Sequence, residues 1–232
     1  MKGFLPLSLL PFVPLAFLSA AEPIRVACLG DSITAGARVT AVESYPAQLQ
    51  QMLGGGFVVK NFGAAGATLW PGGKPNAFDQ LPAARAFGPK IVIVNFGIND
   101  TRSRDADYWS HFLTFTPEAA KLLDNLLALP SKPFVLLCLP TALASDLPGM
   151  ADERKANTTE RQPRLVKVRE KWRALAASYK GHGVKVVDLF VVTEKHPEVF
   201  NADGVHLNAA GYKLLAETLR PHVAESAAKV VR

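Results

Sequence analysis

Cysteine is scarce in this chain: 2 in 232 residues, Cys28 and Cys138, each inside an apolar run. There is no Cys-x-x-Cys and no His-Glu-x-x-His, so the familiar zinc spacings are missing. Neither a metal nor a cofactor is called for. The Gly-x-Ser-x-Gly elbow that marks α/β-hydrolases is also missing. Gly63 and Gly66 suit a tight turn, but without a Gly-x-Gly-x-x-Gly pattern or a P-loop lysine they make no phosphate cradle. Lys and Arg outnumber Asp and Glu by 26 to 20, for a formal charge of +6, yet no nucleic-acid-binding motif accompanies the excess. Past residue 21 no apolar run approaches the roughly 20 residues needed to cross a bilayer. A soluble domain without stable membrane insertion is expected there.

What is present begins with a leader. Met1-Lys2, an apolar stretch to Leu18 and the small residues Ser19-Ala20-Ala21 read as a secretory signal over residues 1–21, with cleavage leaving Glu22 first. Pro6, Pro11 and Pro14 interrupt the stretch and argue against an anchor. No cysteine follows the cleavage point, so a bacterial lipid anchor is not indicated. The expected location is the periplasm or the exterior. Residues 22–232 contain no repeat and no Pro/Gly/Ser-rich linker, and are expected to form one domain.

Five apolar, β-branched runs alternate with helical patterns and predict strands near 24–30, 57–62, 90–96, 133–139 and 184–188. That alternation implies parallel pairing with right-handed crossovers, hence a three-layer α/β/α domain. Helices are expected from Ser44 to Gly54, from Thr116, from Arg161 to Lys180 and from Asn208 to about Ala224. In the third, Leu165, Val168, Trp172 and Leu175 form the buried stripe, and the basic run from Arg154 to Arg173 reads as a solvated face. Residues 68–82, 101–116 and 141–162 lack clear periodicity and are expected as loops at the carboxyl edge of the sheet, where α/β folds place their ligands.

Chemistry concentrates in four blocks. Gly30-Asp31-Ser32-Ile33-Thr34 ends the first apolar run, Asn61-Phe62-Gly63-Ala64-Ala65-Gly66 follows the second, Gly97-Ile98-Asn99-Asp100 follows the third, and Asp203-Gly204-Val205-His206 lies late in the chain. A hydroxyl at the end of a buried strand, with an Asp and a His three residues apart, suggests a serine nucleophile, its base and an orienting carboxylate. In order and spacing the blocks resemble those of the SGNH, or GDSL, hydrolase superfamily across nearly the whole mature chain. The resemblance implies Ser32 as nucleophile, His206 as base and Asp203 as its orienting acid. It also implies an oxyanion hole of the Ser32 and Gly66 N–H groups with the Asn99 amide. A flavodoxin-like strand order of 2-1-3-4-5 is implied as well. In that order one strand separates Cys28 from Cys138, about 10 Å and beyond bridging range, so two free buried thiols are expected.

Asp31 adjoins the nucleophile and reads as structural, as does Asp100. His111, His182, His196 and His222 have no companion pattern and read as surface or loop residues. Trp70 and Trp109 follow the two oxyanion blocks, where they could stack on a sugar ring or simply pack their loops. Asn99-Asp100-Thr101 and Asn157-Thr158-Thr159 match the glycosylation sequon. Ser44-Tyr45-Pro46-Ala47 and His196-Pro197-Glu198, taken with the blocks, resemble exported bacterial sialate or xylan O-acetylesterases. The implied substrate is a small-molecule or glycan acetyl ester. A general short-chain carboxylesterase, lysophospholipase or thioesterase on the same fold is the alternative, and a non-catalytic glycan-binding protein is the alternative of another class.

Overall fold

The computed structural model describes residues 22–104 and 106–230, so the leader expected over residues 1–21 lies outside the described residues. Five strands form one parallel sheet: β1 (Ile24–Gly30), β2 (Phe57–Asn61), β3 (Ile91–Asn95), β4 (Phe134–Leu139) and β5 (Val184–Asp188), in the order β2-β1-β3-β4-β5. This is the expected architecture, with strand bounds within a residue of the expected ones. Helices cover both faces, which is why β3, β4 and the part of β1 after Arg25 read as apolar runs rather than alternating ones.

Side chains alternate across each strand and so divide the core in two. Val26, Cys28, Ile91, Ile93, Leu136 and Cys138 face α2 (Tyr45–Leu53) and α7 (Ala209–Val230), meeting Leu49, Leu215 and Leu219. Ala27, Leu29, Val92, Val94, Val135 and Leu137 face α3 (Leu81–Phe87), α4 (Phe115–Leu127) and α5 (Asp152–Ser178), meeting Ala84, Leu122 and Trp172. Two short helices, α1 (Ser32–Ala35) and α6 (Leu189–Thr193), follow β1 and β5 directly. Cys28 and Cys138 are free and buried on the same face, with β3 between their strands. Burial pushes the Cys28 thiol up to about 12.

The structure departs from the sequence expectations in several places: α3 and α6 were not expected, a 3₁₀ helix (Trp109–Thr114) lies within residues 101–116, and α7 runs to Val230 rather than ending near Ala224. Residues 68–82 are not an open loop: Asn76 accepts from the Phe78 N–H at 2.9 Å, donates to the carbonyls of Pro71 and Gly73, and leads through a 3₁₀ turn into α3. Helix α5 begins at Asp152, not Arg161, and runs through Pro163. Its buried stripe includes Thr158, Arg161 and Arg169 as well as Leu165, Val168 and Trp172, so for these two arginines the solvated-face reading is wrong. Arg161, 5% exposed, donates to Thr101 Oγ1 at 2.9 Å and to the Ile98 carbonyl at 2.7 Å. Arg169 lies over the Phe190 ring at 3.6 Å. An apolar-periodicity rule cannot register a helix face that buries guanidinium groups.

Candidate active site

Three of the four blocks follow β1, β2 and β3, and the fourth precedes α7. At the end of β1, Gly30 approaches β3 and the next turn so closely that a Cβ would lie 2.7 Å from the Asn95 carbonyl oxygen and 2.1 Å from Thr34 Oγ1. Its N–H donates to Gln80 Oε1 at 3.0 Å and its carbonyl accepts from Gln80 Nε2 at 2.8 Å. Asp31 then caps α1, accepting from the Ile33 N–H at 2.9 Å. Ser32 opens the helix at 6% exposure. Burial raises the Asp31 carboxyl to about 7, against the opposing effect of the Ile33 N–H.

The Gln80 clamp was not legible in the sequence, because Gln80 lies 50 residues from the turn it holds. Gln80→Ala is expected to cost about 1–3 kcal/mol, since the buried Gly30 N–H loses its acceptor. A denaturant titration checks this, and an unchanged midpoint at unchanged slope would contradict it.

His206 arrives from the turn before α7. Asp203 Oδ1 accepts the N–H groups of Val205 (3.0 Å) and His206 (2.9 Å), folding the Asp-x-x-His segment back on itself. Gly204 adopts φ +68°, and its carbonyl accepts the Ala144 N–H at 2.9 Å, tying this turn to the segment after β4. Asp203 Oδ2 lies 2.8 Å from His206 Nδ1, and His206 Nε2 lies 2.9 Å from Ser32 Oγ. Burial opposes ionisation of Asp203, but the hydrogen bonds from the imidazole and the two backbone N–H groups outweigh it and hold the carboxyl well below the usual range. An ionised Asp203 fixes the proton on Nδ1 and leaves Nε2 to accept the Ser32 O–H. The imidazole can therefore take the hydroxyl proton when Ser32 attacks.

Asn99 and Gly66 lie in the segments that follow β3 and β2. Asn99 Nδ2 donates to the Ala67 carbonyl at 3.0 Å, which spends one amide hydrogen and leaves the other. Gly66 has φ +83°, and a Cβ there would meet nothing within 4 Å. The glycine is thus required by its left-handed backbone rather than by crowding within the protein. Among the described residues no protein group accepts the N–H of Ser32 or of Gly66.

Asp100 binds the two flanking loops together. Its buried carboxylate accepts from the Leu69 N–H at 3.0 Å and the Trp70 N–H at 3.2 Å. Burial lifts this carboxyl to about 6 despite those bonds.

Both tryptophans have protein partners. Trp70 stacks on His111 with centroids 3.6 Å apart and planes at 9°, so His111 has the companion that its sequence context did not reveal. Trp109 stacks on Phe112 at 4.2 Å and carries the Arg164 guanidinium at 5.3 Å.

The fold is an α/β domain on a five-stranded parallel sheet, and Ser32, His206 and Asp203 meet in one series of contacts. The chain belongs to the GDSL-like lipase/acylhydrolase family, whose pattern matches residues 28–214. It is 29% identical over 216 residues to an acetylxylan esterase of Xylanibacter ruminicola, an alignment covering 85% of this chain and 42% of that protein. Solved structures share the fold. A carbohydrate acetylesterase from Sinorhizobium meliloti superposes with a TM-score of 0.71 at 22% identity, over 87% of this chain and 99% of that one. An aryl esterase of Mycobacterium smegmatis gives 0.69 at 22% identity over the same shares.

Proposed function

We propose that this chain is an exported serine esterase that removes acetyl groups from carbohydrates through an acyl-enzyme. The observation that carries the reading is the unbroken series from Ser32 Oγ through His206 to Asp203, at 2.9 and 2.8 Å. As Ser32 Oγ bonds to the acyl carbon, its proton passes to His206 Nε2, and Asp203 stabilises the imidazolium. The tetrahedral oxyanion is held by the Ser32 and Gly66 N–H groups and the second Asn99 amide hydrogen. On collapse the C–O bond to the alcohol breaks and His206 gives that alcohol its proton. Water then gives its proton to His206 and attacks the acyl carbon. Ser32 leaves with that proton, and acetate is released.

An acetyl substrate is supported by the acetylxylan esterase relative and by the carbohydrate acetylesterase that shares the fold. The sequence adds that the loops after the oxyanion blocks carry no extended apolar stripe for a long acyl chain. Trp70 and Trp109 are proposed as rim contacts for a sugar, with His111 and Phe112 each stacked on one of their ring faces. Export rests on the leader in residues 1–21.

The test is acetate release from acetylated xylan and acetylated sialic acid, set beside a chain-length series of aryl esters. Preference for the acetylated glycans supports the proposal. Faster hydrolysis of longer acyl esters overturns it in favour of a general carboxylesterase, and binding without turnover points to a glycan-binding protein.

Asn99→Ala is expected to lower kcat by about 10²- to 10³-fold with a smaller change in KM, because the amide acts on charge that develops only in the transition state. Steady-state kinetics on an aryl acetate measures this. A loss below about fivefold would remove Asn99 from the hole, being far less than one oxyanion donor contributes.

A further inference from the structure

We infer that Arg161 is a positioning residue for the Asn99 side-chain amide, an inference that rests on the reading of Asn99 as an oxyanion donor given above. Asn99 opens a 3₁₀ turn of three residues, Asn99–Thr101, entered from Ile98. A single turn of that kind has too few internal bonds to hold its own shape, so what fixes the asparagine must come from outside it. Two supports meet there. The Ala67 carbonyl accepts from Asn99 Nδ2 at 3.0 Å and holds the side chain. Arg161 holds the backbone.

Arg161 comes from α5, and its guanidinium reaches the residue before Asn99 and the residue two after it. Nη2 donates to the Ile98 carbonyl at 2.7 Å and Nε to Thr101 Oγ1 at 2.9 Å. The Thr101 hydroxyl in turn donates to the same Ile98 carbonyl at 2.6 Å, which closes a ring of three hydrogen bonds. A planar guanidinium presents its donors in a fixed fork and can hold two acceptors at once, whereas an ammonium acts as a point charge and cannot fix both in one geometry. The helix braces the guanidinium in return. Asn157 Oδ1, one turn earlier, accepts from Nη1 at 3.3 Å, and Leu165, one turn later, packs in one buried cluster with Ile98.

Arg161 is 5% exposed, and Ile98, Asn99 and Thr101 are buried with it. Burying a guanidinium is costly unless its donors are matched, and an apolar side chain would join α5 to this turn without that cost. The arginine is explained by what it grips, the two groups that bracket the oxyanion donor. A donor misplaced by about 1 Å can lower a rate by up to about 10²-fold, so this clamp acts on turnover without touching substrate.

The experiment is a double-mutant cycle, with kcat and KM for a soluble aryl acetate measured on wild type, Arg161→Met, Asn99→Ala and the pair. Methionine fills the space without donating, Ile98 and Thr101 remain bonded to each other, and the Arg164 guanidinium still holds the Thr101 carbonyl at 3.0 Å, so the fold keeps its support. Arg161→Met is expected to lower kcat by about 10- to 10²-fold with a smaller change in KM, yet by less than about threefold once Asn99 is already alanine, because both act through one donor. A role in packing alone, or one exerted by its charge on the buried Asp31 carboxyl, would lower kcat by the same factor in both backgrounds and overturn the inference. So would an unchanged kcat in folded Arg161→Met. Should that variant fail to fold, Thr101→Val, which keeps the guanidinium and removes the shared hydroxyl, carries the same cycle with the same expected pattern. Failure of the underlying reading looks different: Asn99→Ala alone would leave kcat near wild type, and Arg161 would have no donor to position.

Discussion

Ser32→Ala is expected to lower kcat on an acetyl ester by up to about 10⁶-fold, the scale reached when the nucleophile of a serine hydrolase is removed. The fold should survive. The Ser32 hydroxyl is engaged by His206 Nε2, an imidazole still held by Asp203, so truncation leaves no deeply buried polar atom without a partner. The backbone of Ser32 is independently fixed by the Asp31 cap and the Gln80 clamp on Gly30. Melting temperature and circular dichroism close to wild type, with turnover near the uncatalysed rate, is the expected pair of results. His206→Ala should lose about as much, and the double variant little more, because the two residues act as a unit. Near-normal ester turnover by Ser32→Ala would mean that another group performs the chemistry.

Asp203→Asn should cost up to about 10⁴-fold in kcat while leaving the geometry of the turn almost intact. An asparagine oxygen can still accept from the Val205 and His206 N–H groups as Asp203 Oδ1 does. Its amide, however, donates toward His206 Nδ1, which moves the imidazole proton to Nε2 and denies Ser32 an acceptor. Stability changes in parallel with a defined sign. The folded Asp203 carboxyl is held below its ordinary value, so its contribution is present above about pH 4 and is lost as pH falls through the lower folded value. The gap in unfolding free energy between wild type and Asp203→Asn should therefore be widest near neutrality and narrow below about pH 4. A gap independent of pH would show that the carboxylate charge contributes nothing to folding.

Legibility in the sequence followed the range of the interaction. The strands were readable because each is a short, largely apolar run, four of the five ended by glycine, asparagine or aspartate, and both faces of the sheet are covered by helices. The four blocks were readable because chemistry demands particular residue types where strands end. Their convergence, with Ser32 and His206 174 positions apart and 2.9 Å from contact, follows from placing both at one edge of the sheet. The supports were not readable. Gln80 on Gly30, and Asp100 on Leu69 and Trp70, are single polar side chains reaching across loops, and nothing local distinguishes them from solvated residues. The first turns of α5 were missed for the related reason that Thr158 and Arg161 replace apolar residues on its inner face.

The hydroxyl of the first strand-end turn and the imidazole that precedes the last helix close nearly the whole described chain into one loop. Loop closure of that length cannot precede formation of the sheet between them, since its entropic cost is met only by the packing it encloses. Under the proposed function, ester turnover counts native molecules: during refolding it should emerge no earlier than the slowest structural signal, and no fragment lacking either Ser32 or His206 should show it.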